Sequence, residues 1–407
     1  MANVGKVELL SPAGNMDCLQ TALNYGADAV YLAGKQYGLR AFSDNFGMDE
    51  LAQAVKLAHD SNKKIYVTVN AIMREADMEG LYEYLCALRE VGADAVILSD
   101  PGVLTLAKKA GMEIHLSTQA STSNALAARF WYEAGVKRIV VAREMSLEEI
   151  AVMRRNTPPD MEIEAFIHGA MCIAYSGRCL LSSVLTGRSG NKGMCAQPCR
   201  WEYSISEAGY PGQEFPIMED GRGTYILNSK DLMMIEHIGE MIDAGICSFK
   251  IEGRMKSAYY VGCVTNAYRR AVDAYQKDGS GPSQGMLDEL LYSATRRFTT
   301  GFFFGNPHEE GQDVEKSLID RKYIFCGMVL GERRADGLIP VEQRNKFSVG
   351  DTLRILSPKL DYLEYQVERI VDEDGNNQDS APHPQQKIWV NCPYDVGQGD
   401  MLRKKQL

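Results

Sequence analysis

The sequence lacks any run of about 18 uncharged apolar residues, the length that a membrane-spanning helix requires. Its first residues also lack the apolar core of a signal peptide, so we expect a cytoplasmic protein with no membrane partner. An excess of positive charge is absent as well. The formal net charge of -10 argues against nonspecific coating of DNA, because that mode of binding needs a broad basic surface.

Two motifs of hydrolytic enzymes are also missing. The sequence contains neither His-Glu-x-x-His, which binds a catalytic zinc ion, nor Gly-x-Ser-x-Gly, which presents a nucleophilic serine. Disulfide bonds are not expected, because the ten cysteines of a cytoplasmic chain are thiols or metal ligands. With 407 residues, the chain is long enough for one large core or for a large and a small domain.

The most informative pattern is a glycine that ends a helix and is followed immediately by an apolar strand. Glycine suits the left-handed position just past a helix end, and the next residues then enter the sheet at once. The pattern recurs at Gly26–Leu32, Gly92–Leu98, Gly111–Leu116, Gly135–Val141 and Gly245–Ile251. Further strands are predicted at Glu8–Ser11, Ile65–Asn70 and Ile163–Ile167.

The segments between these strands have helical periodicity. Apolar residues share one face at Leu81, Leu85 and Leu88, and a second helical face is predicted from Leu232 through Ile235 and Ile238 to Ile242. About eight strands thus alternate with helices over residues 7–280, which predicts an α/β fold with a parallel sheet, most economically a TIM-like (β/α) barrel. An open doubly wound sheet is the alternative.

The pattern changes near residue 315, and we predict two domains. Residues 1–314 form the barrel, with a cysteine loop inserted at about 168–225, and residues 315–407 form a small β-barrel. Gly-Asp turns separate short strands in the second domain. These strands are predicted at Tyr323–Leu330, Leu338–Val341, Thr352–Leu356, Gln366–Val371 and Lys387–Val390.

The inserted loop contains four closely spaced cysteines, Cys172, Cys179, Cys195 and Cys199. They follow a predicted strand at the C-terminal mouth of the barrel, where four thiolates can bind zinc or an iron–sulfur cluster. Their spacing does not decide between these metals, and ordinary free thiols are the alternative. The loop is also basic, with Arg178, Arg188, Lys192 and Arg200. This charge indicates an anionic substrate or simply offsets the thiolates.

These segments carry a resemblance to a known family. The stretch Glu164–Ser182 resembles the signature of the collagenase-like peptidases (peptidase family U32), and Cys195–Trp201 is similar to its continuation. Leu9–Asn15 and Lys250–Arg254 fit the same family. The resemblance covers nearly the whole chain, and it implies that residues 315–407 are the C-terminal domain of that family.

The resemblance implies an RNA hydroxylase rather than a protease. The closest branch forms 5-hydroxyuridine at the wobble position of tRNA, without oxygen and with prephenate as co-substrate. It implies a [4Fe-4S] cluster on Cys172, Cys179, Cys195 and Cys199, with zinc as the alternative metal. The implied partner is tRNA, together with a paralogous subunit or an electron donor.

The chemistry is expected at the mouth of the barrel, where the C-terminal strand ends meet. His168 is a candidate proton donor or acceptor, or else a structural histidine. A dicarboxylate such as prephenate needs cations, and Arg40, Arg143 and Arg254 are the candidates. The polar residues at the strand ends are Asn70, Asp100, Ser117, Thr118, Gln119, Arg143, Glu144, His168, Lys250 and Glu252. Of these, we predict catalytic roles for Asn70, Arg143, His168, Lys250 and Glu252.

Two other functions remain open. A metal- or cysteine-dependent peptidase could use a Cys172–His168 dyad, although this leaves three neighbouring thiols without a role. A non-catalytic RNA-binding or assembly factor could use a metal only to hold the loop. The candidate RNA contacts are Arg296–Arg297, Arg333–Arg334, Arg403–Lys405 and Trp201.

Overall fold

A computed structural model describes most of the chain. The described residues are 6–39, 44–172, 179–201, 204–205, 215–216, 229–307, 311, 322–359 and 362–406. Arg40, Arg178 and the predicted domain boundary at residues 314 and 315 lie outside them. No helix within these ranges is long and apolar enough to cross a membrane.

Strands and helices alternate through the N-terminal domain. Its strands are β1 (Glu8–Pro12), β2 (Ala29–Leu32), β3 (Lys64–Val69), β4 (Ala95–Leu98), β5 (Ile114–Leu116), β6 (Arg138–Val140), β7 (Glu162–Ala170), β8 (Ser204–Ile205), β9 (Phe215–Pro216), β10 (Asp231–Met233), β11 (Ser248–Ile251) and β12 (Phe298–Thr299). Its helices are α1 (Met16–Asn24), α2 (Met48–Asp60), α3 (Leu81–Glu90), α4 (Pro101–Ala110), α5 (Ala125–Glu133), α6 (Leu147–Arg155), α7 (Leu181–Thr186), α8 (Ile238–Asp243), α9 (Ala258–Asp278) and α10 (Gln284–Ser293). Short 3-10 helices cover Glu75–Asp77, Thr118–Ala120, Gly190–Lys192, Pro198–Arg200 and Ile235–His237.

Eight of these strands form a closed parallel barrel. Strands β1 to β7 pair in sequence order, and β11 pairs in parallel with both β1 and β7 to close the ring. Each strand corresponds to one predicted from the sequence, so the TIM-like barrel is confirmed and the open sheet was wrong. Gly26 and Gly92, at φ +101° and +86°, have the left-handed backbone that the sequence pattern predicted.

One predicted helix is only partly present. Leu81, Leu85 and Leu88 lie buried on α3, as predicted. In contrast, Leu232 belongs to β10, which pairs antiparallel with the end of β7, and α8 begins only at Ile238. The apolar spacing of this segment correctly predicted burial. It could not reveal that the long strand β7 offers a pairing edge beyond the barrel.

The C-terminal domain is a curled antiparallel sheet. Its eight strands have the order β17-β16-β22-β13-β14-β21-β18-β19, and β15 pairs with β20. The sequence missed the last strand, which supplies the centre of the sheet. The bounds are β13 (Tyr323–Val329), β14 (Leu338–Gln343), β15 (Phe347–Ser348), β16 (Thr352–Leu356), β17 (Glu364–Gln366), β18 (Ile370–Val371), β19 (Asn377–Gln378), β20 (Ser380–Ala381), β21 (Lys387–Asn391) and β22 (Met401–Lys405).

A buried ion pair joins the two domains. Arg403 on β22 and Glu289 on α10 are both fully buried, and Arg403 Nη1 lies 2.8 Å from Glu289 Oε2 while Nη2 contacts Oε1. The Tyr259 hydroxyl lies 3.2 Å from the same Nη1. Tyr25 donates a hydrogen bond to the Leu356 carbonyl at 2.8 Å. These contacts fix the sheet against helices α1, α9 and α10.

Candidate functional site

A polar cavity of about 80 Å³ lies at the C-terminal mouth of the barrel. Its position follows from the topology, because the carboxyl ends of all eight parallel strands meet at this face. Three cations and one carboxylate are among its lining side chains. The described lining is Tyr31, Leu39, Thr68, Asn70, Ile97, Ser117, Thr118, Gln119, Val140, Arg143, Phe166, Lys250, Glu252 and Arg254.

Lys250 forms part of the cavity floor. Its side chain extends from β11, and Nζ lies 2.7 Å from Glu164 Oε1 on β7. The ammonium also lies over the Tyr31 ring, 4.5 Å from its centroid. Only 4% of Lys250 is exposed and Glu164 is fully buried, so the ion pair is shielded from solvent. These contacts hold the ammonium group at the floor of the cavity.

A second layer of charges supports Glu164 inside the barrel. Arg138 Nη1 lies 3.1 Å from Glu164 Oε2 and 2.5 Å from Glu8 Oε1, while Nε donates to Glu162 at 2.7 Å. Burial alone would raise the pKa of Glu164, but the charges of Lys250 and Arg138 outweigh it and hold this pKa at about 2. Glu164 is therefore ionised at neutral pH.

Arg143 and Glu252 face each other across the mouth. Arg143 Nη2 lies 3.8 Å from Glu252 Oε2, and the guanidinium stacks over the Phe166 ring at 4.1 Å. Both charged side chains retain some exposure to solvent. The long ion-pair distance and this exposure make Arg143 the cation best placed to release Glu252 and bind an anionic ligand instead.

Arg254 and Asn70 complete the polar wall. Arg254 is buried and donates from Nη1 to the Thr68 hydroxyl at 2.7 Å. The Asn70 amide accepts from the Leu39 backbone N–H at 3.3 Å and lies 3.4 Å from the Ser117 hydroxyl. The structure thus brings together Asn70, Arg143, Lys250, Glu252 and Arg254 of the predicted set.

His168 lies apart from these residues. A register shift between Lys250 and Ile251 changes the pairing of β7, and the imidazole packs against the rings of Tyr260, Tyr268 and Phe298. Its Nδ1 lies 3.4 Å from the Tyr268 hydroxyl. Burial, with a smaller effect of the Lys256 charge, lowers the pKa of His168 to about 3. The ring is therefore neutral at physiological pH, and this environment favours the structural alternative.

The cysteine loop reaches across the mouth of the barrel. Cys172 follows β7, but further along the loop the Asn191 carbonyl accepts from the Ile72 N–H at 3.1 Å, and Lys192 Nζ lies 2.5 Å from Asp77 Oδ2. Ile72 and Asp77 follow β3, which stands opposite β7 in the ring. The Lys192 ammonium lowers the pKa of Asp77. These contacts anchor the loop on the far side of the cavity.

The four predicted metal ligands have suitable chemistry but do not form a compact group. None of the four forms a disulfide bond, and each is at least partly exposed, as thiolate ligands of a metal would be before binding. A Cβ at Gly190, next to the Asn191 that contacts Ile72, would lie 3.4 Å from Cys195 Cβ, whereas Cys172 lies two residues past the end of β7. Within the described residues, no three His, Cys, Asp or Glu side chains cluster closely enough to hold a metal. Metal binding therefore stays a prediction.

Several other sequence-based candidates have structural roles. Asp100 caps α4, accepting hydrogen bonds from the N–H groups of Gly102 and Val103. Arg403, proposed to contact RNA, is instead fully buried against Glu289, and Lys404 lies 2.9 Å from Asp351. Arg333 donates to the Cys392 carbonyl at 3.1 Å. Trp201 is 47% exposed and stays a candidate for stacking.

The charged layer inside the barrel was not among the features predicted from the sequence. Glu8, Arg138 and Glu164 lie within apolar strands, where a charged side chain at an inward position is costly unless it is paired. The available signal was a pair of charges two positions apart at the start of β7, Glu162 and Glu164. Thr68, Tyr31 and Phe166 of the cavity wall carried no comparable signal.

The closed barrel, the polar cavity at its mouth and the attached antiparallel sheet define a two-domain TIM-barrel protein. The model of Peptidase family U32 matches residues 14–313, and that of the Peptidase family U32 C-terminal domain matches residues 321–403. The chain therefore belongs to peptidase family U32, as its cysteine-rich signature indicated.

Proteins of known name resemble this chain over nearly their whole length. It is 41% identical to tRNA hydroxylation protein P1 of Bacillus subtilis (98% of this chain, 95% of the relative). It is 37% identical to tRNA hydroxylation protein P of Escherichia coli (96% and 95%). It is also 32% identical to a protein named collagenase from Porphyromonas gingivalis (90% and 91%).

Proposed function

We propose that this protein is a tRNA hydroxylase that acts in the cytoplasm and forms 5-hydroxyuridine at the wobble position. The observation that carries the proposal is the similarity, over almost the entire length of both chains, to proteins named for tRNA hydroxylation. The resemblance of the cysteine motif supports the same activity. Prephenate is the proposed co-substrate, and molecular oxygen is not required.

The mouth cavity suits a dicarboxylate co-substrate. Arg143, Lys250 and Arg254 present cations within one small cavity, whose described lining includes one carboxylate, that of Glu252. A guanidinium can bind a carboxylate through two parallel hydrogen bonds, and Lys250 adds a point charge below. The Asn70 amide can orient a neutral oxygen of the ligand. Binding in a buried, preorganised cavity would hold the co-substrate at the C-terminal strand ends.

The proposed reaction replaces the hydrogen at uridine C5 by a hydroxyl group. This change inserts one oxygen atom and removes two electrons from the base. An oxygen-donating co-substrate is reduced by these two electrons; if water supplies the oxygen, two electrons and two protons pass to an acceptor. Glu252, beside Arg143, is the carboxylate of the described cavity lining, and we propose that it takes the proton at the mouth.

The proposal includes a [4Fe-4S] cluster held by Cys172, Cys179, Cys195 and Cys199. Such a cluster can supply electron transfer. Iron and sulfide analysis of anaerobically purified protein tests it, with serine replacing each of the four cysteines and, as a control, the buried Cys326. We expect bound iron to fall in the four loop variants and to stay unchanged in Cys326→Ser. Equal iron in all variants would contradict the assignment.

The direct test of the activity is mass spectrometry of tRNA nucleosides from cells that lack this protein. We expect 5-hydroxyuridine and its derivatives to disappear, and to return when the gene is restored. Unchanged levels would overturn the substrate assignment. The collagenase relative makes peptidase activity the second candidate; cleavage of gelatin by the purified protein, with tRNA unaffected by deletion, would favour it.

A further inference from the structure

A second cavity opens outside the barrel, beside the added strands β10 and β12. This outer groove has a volume of about 530 Å³, within the range of roughly 300–1,000 Å³ typical of ligand sites. Aromatic and polar groups share its walls. They include Phe298, Phe304, Thr299, Thr300, Lys230 and Glu236.

Phe304 is exposed on a turn whose backbone is held in place. Its side chain is 57% exposed, while the preceding Phe303 is buried in the core. The Phe303 carbonyl accepts from the Leu147 N–H at 3.0 Å, and the Gly305 N–H donates to the Phe302 carbonyl at 2.9 Å. The His237 ring packs edge-on against Phe304, with 4.6 Å between centroids. A large aromatic ring is thus held at the surface in one orientation.

The outer groove adjoins the mouth cavity. A small internal cavity between them is lined by Arg143 and Phe166, which also line the mouth, and by Phe303, the neighbour of Phe304. On the groove side, a Cβ at Gly301 would lie 3.2 Å from Leu232 and 3.4 Å from Met171, both of which line the same small cavity. Two layers of side chains, with the small cavity between them, therefore separate the groove from the mouth.

We propose that the outer groove binds an unpaired nucleobase of the RNA substrate, stacked on Phe304, next to the nucleotide whose base faces the opening of the mouth cavity. This inference rests on the proposed function. An enzyme that modifies a base inside folded RNA must extract it from its stack. The adjacent base then loses a stacking partner, and an exposed aromatic ring can replace that partner.

The other groove residues match the remaining parts of a nucleotide. The hydroxyls of Thr299 and Thr300 can donate to or accept from the edge of a base. Lys230 supplies a cation for the phosphate, and Glu236 can accept from an exocyclic amine. A purely apolar partner would leave these groups desolvated without hydrogen bonds, which disfavours a hydrophobic peptide in the groove.

The test is fluorescence anisotropy with a labelled anticodon stem-loop RNA and the full-length protein. We expect Phe304→Ala to weaken binding about 10-fold, since a base–aromatic stack contributes on that order, and Phe304→Trp to bind within about twofold of the parent. Phe130→Ala is the matched control, because Phe130 is 63% exposed on α5. Lys230→Met should make the slope of the logarithm of the binding constant against the logarithm of the salt concentration less steep by about 0.7.

A stacking signal separates direct contact from a structural effect. We expect 2-aminopurine next to the wobble position to be quenched on binding the parent protein and to remain bright with Phe304→Ala. Parent protein that binds or modifies no RNA would overturn both this inference and the proposed function. A different outcome would contradict only the role of the outer groove: the parent protein binds RNA, but Phe304→Ala has the same affinity and the same quenching as Phe130→Ala.

Discussion

The contact between Lys250 and Glu164 determines where positive charge enters the mouth cavity. The ammonium is held from below at 2.7 Å, and the rings of Tyr31 and Phe166 lie beside it. Removing one partner of a buried pair leaves the other charge without compensation, which costs more than the pair itself contributes. Glu164 is thus a positioning residue for the cavity, although it does not line it.

We predict a specific pH dependence for this carboxyl group. The pKa of Glu164 is lowered from 4.5 to about 2 in the folded protein. Its stabilising contribution is therefore complete above pH 4.5 and is lost as the pH falls toward 2, which amounts to about 3 kcal/mol. In denaturant unfolding, the stability difference between the parent and Glu164→Gln should shrink over this range. Glu90→Gln, at an exposed position of α3, is the control, and a pH-independent difference for Glu164→Gln would contradict this role of the carboxylate.

At the scale of the elements, the end of β7 determines the shape of the mouth. Gly169 has φ +104°, and a Cβ there would lie 2.5 Å from the Glu252 carbonyl oxygen. Only glycine allows β7 to approach the segment after β11 this closely. The same residues then pair with β10 and carry the chain into the cysteine loop.

Gly169→Ala should therefore destabilise the protein well beyond the cost of backbone strain. Gly279→Ala measures that strain alone, because Gly279 also has a positive φ of +78° but a Cβ added there would have no atom within 4 Å. We expect Gly279→Ala to lower the free energy of unfolding by about 1 kcal/mol. Gly169→Ala should lower it by at least about 2 kcal/mol more. Thermal unfolding of both variants provides the comparison, and equal losses would show that the close approach is unimportant.

All eight barrel strands could be predicted from apolar runs, and five of them are also preceded by a local signal. A glycine in the left-handed conformation and an apolar run identify the strand, and parallel strands bring their carboxyl-end residues to one face. Asn70, Arg143 and Lys250 were found in this way. Partners that depend on ring closure could not be found, since Glu8 on β1 reaches Arg138 on β6 only after β11 closes the barrel. The prediction that Arg403 contacts RNA was wrong for a similar reason, because its partner Glu289 lies in the other domain.

At the scale of the whole molecule, the Arg403–Glu289 pair joins the C-terminal sheet to the barrel. We predict that Arg403→Met destabilises the protein by about 3–5 kcal/mol, because it leaves a buried carboxylate without its cation. The double variant Arg403→Met/Glu289→Leu should recover part of this loss. Lys56→Met breaks the exposed Lys56–Asp60 pair and should change stability by less than about 1 kcal/mol. Similar unfolding midpoints for Arg403→Met and Lys56→Met would contradict a structural role for the pair.

The proposed site of tRNA hydroxylation is the mouth cavity, and a pair of arginine variants tests this location most directly. Arg143 lines the cavity, whereas Arg344 pairs with Glu342 at 2.6 Å in the C-terminal domain and is also partly exposed. Each variant, as Arg→Gln, is produced in cells that lack the parent protein, and 5-hydroxyuridine in their tRNA is measured by mass spectrometry. We expect Arg143→Gln to lower the modification at least about 10-fold and Arg344→Gln to restore it fully. Full modification by both variants, at equal protein levels, would contradict the location of the chemistry.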